Sequence, residues 1–125
     1  LLVVMIIIGI LAAIAIPVFL NQRKKAEDSA AKADVSTLGK EVATYYVDNT
    51  ATPTLTGPAG GRYTINGTDI GKVSPNVVLD ASTNLAGATT WCVAVTNPQG
   101  DKAVNGFRYS AQGGLEEGKC GALAS

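Results

Sequence analysis

Few side chains in this 125-residue chain are suited to chemistry, and most of them fall late. Cys92 and Cys120 are the two cysteines. They can form a disulfide closing the loop between them, worth roughly 3–4 kcal/mol through loop-closure entropy, or remain as two free buried thiols. A metal site is disfavoured, because two thiolates without histidine or further thiols fall short of a structural zinc set. Asp101, Glu116 and Glu117 are candidate Ca²⁺ ligands in the late loops, but they lack a ligand-loop spacing, so solvated loop charge is the simpler reading. Asn66-Gly67-Thr68 matches a glycosylation acceptor, a triplet common by chance. The sequence contains no histidine, so no serine or cysteine has an imidazole base. Gly57-Pro58-Ala59-Gly60-Gly61 reads as a flexible turn rather than a phosphate loop. Phe19, Tyr45 and Tyr46 read as ordinary packing aromatics, not an electron path. No catalytic residue, cofactor or metal is expected, and an enzyme is disfavoured. Ten basic and ten acidic residues cancel, which gives no electrostatic footprint for nucleic acid.

The elements that must position these residues are short strands. Arg62 to Asn66 followed by Gly67 predicts a strand and turn, and Asn76 to Asp80 predicts another short strand. The clearest strand is Thr89 to Thr96. Its alternation puts Trp91, Val93 and Val95 on one face and Cys92, Ala94 and Thr96 on the other. Asn97 to Gly106 reads as a loop, and Phe107 to Ala111 as the returning strand, with Phe107, Tyr109 and Ala111 on one side.

Ahead of these strands, Asn21 to about Asn49 has no proline and a single glycine, Gly39. Ala31, Val35, Leu38, Val42 and Tyr45 recur at alternating spacings of four and three, the apolar stripe of a helix facing a core. Lys24, Asp28 and Lys32 fall four apart on a face expected to be exposed, with a few tenths of a kcal/mol per pair. Asp48 to Gly61 is expected to end the helix and form a loop. The expected fold class is α+β: a long N-terminal helix, apolar in its first half and amphipathic in its second, packed on a small antiparallel sheet. The sheet would cover the stripe from Ala31 to Tyr45 and bury Trp91, Phe107 and Tyr109.

The first segment has a different character. From Leu1 to Ile16 there is no polar side chain, and the apolar run continues past Pro17 to Leu20 before Arg23, Lys24 and Lys25. Twenty helical residues span about 30 Å, the thickness of a bilayer's hydrocarbon core. Such a helix needs lipid, copies of itself, or each in turn. Pro17 inside a helix costs about 3 kcal/mol and Gly9 about 1 kcal/mol, so the interval between them is where the helix would bend or melt. The chain does not begin with Met and is expected to be a processed or partial product. Two domains are expected: 1–22 as an exposed apolar helix, and 23–125 as a globular unit.

Leu1 to Asp28, with its Gly9-to-Pro17 spacing and basic stop, closely resembles the N-terminal helix of mature type IV pilins and of their relatives, the pseudopilins. The resemblance implies a pilin-like fold and a helical homopolymer. Assembly would run through Leu1, Leu2, Val3, Val4, Met5, Ile6, Ile7, Ile8, Ile10, Leu11, Ile14, Ile16, Val18, Phe19 and Leu20, with Gly9 and Pro17 bounding a locally unwound interval. It also implies a prepilin peptidase, a platform protein, an assembly ATPase, a methylated N-terminus, a membrane-anchored precursor and a cell-surface filament. The Cys92–Cys120 pair would correspond to the C-terminal loop that many pilins staple by a disulfide. The family's Phe-Thr-Leu-Ile-Glu, which precedes the matching segment and carries an assembly glutamate, is not among these residues. Arg23, Lys24 and Lys25 read as the solvated stop of a span. The resemblance, which keeps the globular domain outside the cell, argues against their marking a cytoplasmic side by the positive-inside rule. Pairing with Glu27, Asp28 or acidic groups of neighbouring subunits is the other expectation.

Overall fold

A computed structural model describes residues 1–120, with residues 13–20 described in backbone only. Helix α1 spans Leu2–Asp48. Seven strands follow: β1 Leu55–Thr56, β2 Arg62–Ile65, β3 Thr68–Lys72, β4 Val78–Leu79, β5 Cys92–Thr96, β6 Phe107–Ser110 and β7 Gly114–Glu117. The described chain is therefore α+β.

At 1.5 Å per residue the 47-residue helix is about 70 Å long. It runs without a break through Gly9 and Pro17, so in the single chain the expected weak interval is helical. It stops where Asn49 turns extended, at φ −135° and ψ 155°. The Asn49 side-chain amide donates to the Tyr45 carbonyl at 2.9 Å, satisfying one of the acceptors that every helix end leaves open.

The strands form two antiparallel sheets rather than the one expected, ordered β1-β2-β3 and β4-β5-β6-β7. The extra sheet arises because β2 pairs with β3 and, among the described residues, with no strand of the other sheet, and the segment expected to be a loop after α1 adds β1, with Leu55 opposite Ile65 and Thr56 opposite Thr64. Asn66 and Gly67 turn β2 into β3 with φ of 52° and 85°. Positive φ at both central residues is the two-residue turn whose twist suits a hairpin, and Gly67 adopts it without a Cβ penalty.

One core lies between α1 and the sheets. Ala31, Val35, Leu38 and Val42 have no exposure, and they share a cluster with Tyr63, Ile65, Trp91, Val93, Val95 and Phe107. Each fully buried Val or Leu side chain contributes roughly 1.5–3 kcal/mol. The other face of β5 carries Cys92 and Ala94, which cluster with Cys120. Cys92 and Cys120 form a disulfide across 28 residues, so β5 is covered on both faces. Tyr45 and Tyr109 differ from expectation: both are only half-buried at the rim of the core. Tyr109 stacks on Trp91 with ring centroids 6.2 Å apart. The helix can approach that closely because residue 39 is glycine; a Cβ there would collide with the Tyr109 ring.

Candidate functional site

The two halves of α1 meet different surroundings. Leu2 to Leu11 stay strongly exposed, the large side chains ranging from 51% at Ile7 to 72% at Leu2, and nothing approaches Gly9. A contiguous apolar surface of this kind marks an interaction site rather than ordinary surface. Among the described residues no helix is long and apolar enough to cross a membrane. The described apolar side chains end at Ala12, which covers roughly half of the ~20 residues a span requires. The side chains of Ile14, Ile16, Pro17, Val18, Phe19 and Leu20, expected to complete the assembly surface and its weak interval, lie outside the described residues.

The second half of α1 is fastened to both sheets by carboxylates on its inner face. Asp34 accepts hydrogen bonds from the Tyr63 hydroxyl at 2.8 Å, the Ser74 N–H at 2.9 Å and the Ser74 hydroxyl at 2.6 Å. These partners belong to β2 and to the segment after β3. Asp28 accepts from the backbone N–H groups of Ala103 at 2.9 Å and Lys102 at 3.1 Å, in the loop between β5 and β6. Fully buried Asn97 in the same loop donates to the Glu27 backbone carbonyl at 3.1 Å. Each sheet therefore has its own carboxylate anchor on the helix. Charge-assisted bonds of this kind are stronger than neutral ones and fix the helix in register. Burial pushes the Tyr63 phenol far above its ordinary range, and the hydrogen bond and charge of Asp34 add to the effect.

Asp28 is thus not on an exposed face with Lys24 and Lys32. It is buried because the loop around Asn97 folds over it, and Lys32 instead lies 5.2 Å from the Phe107 ring centre. Sequence reasoning missed both carboxylates. A signal for them was present: Asp28 is one helical step before Ala31, and Asp34 one step before Leu38, on the same stripe.

The remaining candidates are dispersed. Glu116 pairs with Arg108 at 3.5 Å and Glu117 with Lys102 at 3.2 Å. Asp101 borders a hollow beside Lys24 and Lys25. Among the described residues no group of three or more potential metal ligands occurs. Asn66 sits at the β2–β3 turn, where its side-chain oxygen accepts from the Thr54 N–H at 2.9 Å. Asp80 lies where β4 ends. Burial alone would raise its carboxyl, but the Ser82 hydroxyl and N–H, with Lys119 nearby, hold it below the ordinary range.

Comparison with protein-family models, with curated proteins and with solved structures returned no match. The geometry by itself defines an α+β protein in which one end of a helix packs on an internal core and the other end leaves an apolar surface exposed.

Proposed function

We propose that this chain is the major structural subunit of a type IV pilus, polymerising through Leu1 to Leu20 into an extracellular helical filament. The observation that carries the reading is the contrast within α1. Its first turns are apolar on every side and exposed, while its second half is locked into the sheet domain. The close resemblance of residues 1–28 to pilin helices supports the same reading.

The mechanism is mechanical. The apolar helix first holds the subunit in the membrane, then is extracted and buried in a bundle of like helices. Burial from water stabilises by about 25 cal/mol per Å², whereas lipid and helix bundle are nearly matched. Transfer between them therefore needs an outside motor, a role for a cytoplasmic ATPase acting through a platform protein. The Gly9-to-Pro17 interval unwinds in the filament, where neighbouring subunits can cover the freed backbone. The finished filament serves adhesion, motility or DNA uptake.

Electron microscopy of sheared surface filaments, with mass spectrometry of the subunit N-terminus, tests this. Long filaments built of this chain, in cells without a secretion defect, support the pilin. A short piston in a secretion or DNA-uptake machine would make it a pseudopilin. No polymer at all would make it a binding domain on a membrane anchor. Unbroken helical hydrogen bonding between Gly9 and Pro17 in a filament map would refute the unwinding.

A further inference from the structure

A ring of cations separates the apolar helix from the domain. Arg23, Lys24 and Lys25 are all exposed. Consecutive helical positions are 100° apart, so the three fan over about 200° of the circumference instead of lining one face. The ion pairs within the sheet domain use Arg62, Lys102, Arg108 and Lys119; Lys24 and Lys25 are in none of them. The carboxylates next in the chain are committed to the domain. Asp28 holds the 102–103 backbone, and Glu27 accepts from the Asn76 side chain at 3.2 Å and from Asn97 at 3.4 Å.

Two hollows open beside Lys24. One, of about 160 Å³, is lined by Asn21, Lys24, Lys25 and Asp101. The other, of about 270 Å³, is lined by Arg23, Lys24, Glu27, Asn76 and Gln99. In each, two cations face one carboxylate, with amide side chains as further polar partners.

Depth decides what fits. Lys24 and Lys25 lie four and five positions beyond Leu20, or about 6–8 Å along the helix axis. The headgroup layer on one side of a bilayer is about 5–8 Å thick. With Leu20 at the edge of the hydrocarbon, the ring falls at the level of the lipid phosphates.

We propose that this collar binds the phosphates of an anionic lipid leaflet and seats the sheet domain on the membrane surface before assembly. The inference rests on the reading that Leu1–Leu20 lies in lipid, and it adds the leaflet's chemistry and the residues that recognise it. The lipid would be met as a row of headgroup phosphates, with Lys24 shared between the two hollows and the amides of Asn21 and Asn76 beside them.

The test measures partition of the full chain, diluted from detergent, into two kinds of vesicle at low salt: phosphatidylcholine alone, and phosphatidylcholine with phosphatidylglycerol. Each basic residue near an anionic surface is worth roughly fivefold in binding. Counting Lys24 and Lys25 alone, the expected result is a gain of about 25-fold on the anionic vesicles, largely removed by high salt. Lys24→Gln with Lys25→Gln should remove most of that gain while leaving partition into neutral vesicles and the thermal melt unchanged. Equal partition into both vesicle types overturns the collar but spares the apolar insertion. Gain on anionic vesicles with none on neutral ones supports the collar and overturns the insertion. No partition into either overturns both. Release by millimolar inorganic phosphate would indicate a free-phosphate site and overturn the lipid assignment. A double variant that keeps the lipid gain but cannot polymerise would assign the collar to a neighbouring subunit, which also overturns it.

Discussion

Leu2 to Ala12 and Ala31 to Val42 are stretches of one helix with similar backbones, yet their side chains meet opposite conditions. The later stretch turns Ala31, Val35, Leu38 and Val42 inward at no exposure and fixes that face with Asp28 and Asp34. The earlier stretch has no inner face, because it is apolar all round and has no sheet against it. A helix of the first kind is stabilised by its own chain. One of the second kind is not stabilised that way, because its exposed leucine and isoleucine forgo roughly 1.5–3 kcal/mol each of burial. On the proposed reading, fold stability and assembly are lodged in different parts of α1 and should fail separately.

That separation can be attacked from the domain side. The largest expected loss comes from Cys92→Ser with Cys120→Ser, which frees a 28-residue loop and should cost about 3–4 kcal/mol in a urea titration. Asp34→Ala comes next. It removes the acceptor of the Tyr63 and Ser74 donors and should cost about 2–3 kcal/mol, read as a lower urea midpoint with an unchanged slope. In both variants the apolar half should still partition into lipid. A matching loss of partition would break the comparison.

The smallest effect is a pH dependence. The folded Tyr63 phenol holds its proton more tightly than the unfolded phenol, whose ordinary value is 10.0. Its contribution is therefore complete below about pH 10 and declines as pH rises further, because the unfolded chain loses the proton first. Phenolate absorbance should show Tyr63 ionising together with alkaline unfolding and not before it. Tyr63→Phe should cost about 1 kcal/mol at neutral pH and flatten the stability loss above pH 10.

Much of the fold was legible because strong patterns had a single physical meaning. The stripe from Ala31 to Val42, the alternation of Trp91, Val93 and Val95, and the Asn66-Gly67 turn all reappear in place. The strands that escaped notice are short or polar. β1 has two residues, and β3 and β7 carry Asp69, Lys72, Glu116 and Glu117, so neither shows a clean alternation. They exist through hairpin pairing with β2 and β6, a cause that lies in the partner strand and not in the residues of the strand itself. Asp28 and Asp34 escaped for another reason. Asp28 was read as exposed because it is charged and Asp34 was passed over, although helical register already placed both on the buried stripe. At the rim, Tyr45 and Tyr109 show the converse: both pack against the core as their register requires, yet each stays half-exposed. The apolar first half was plain from composition, whereas the partner proposed for it lies outside a single chain.

The central claim is that the first twenty residues act as a specific assembly surface and not only as a greasy anchor. The direct measurement replaces residues 1–20 with an unrelated apolar helix of equal length, without the Gly9-to-Pro17 interval, and counts surface filaments by electron microscopy. The account predicts a chain that keeps its membrane attachment and its domain unfolding midpoint but forms no filaments. Filaments at undiminished number would contradict it.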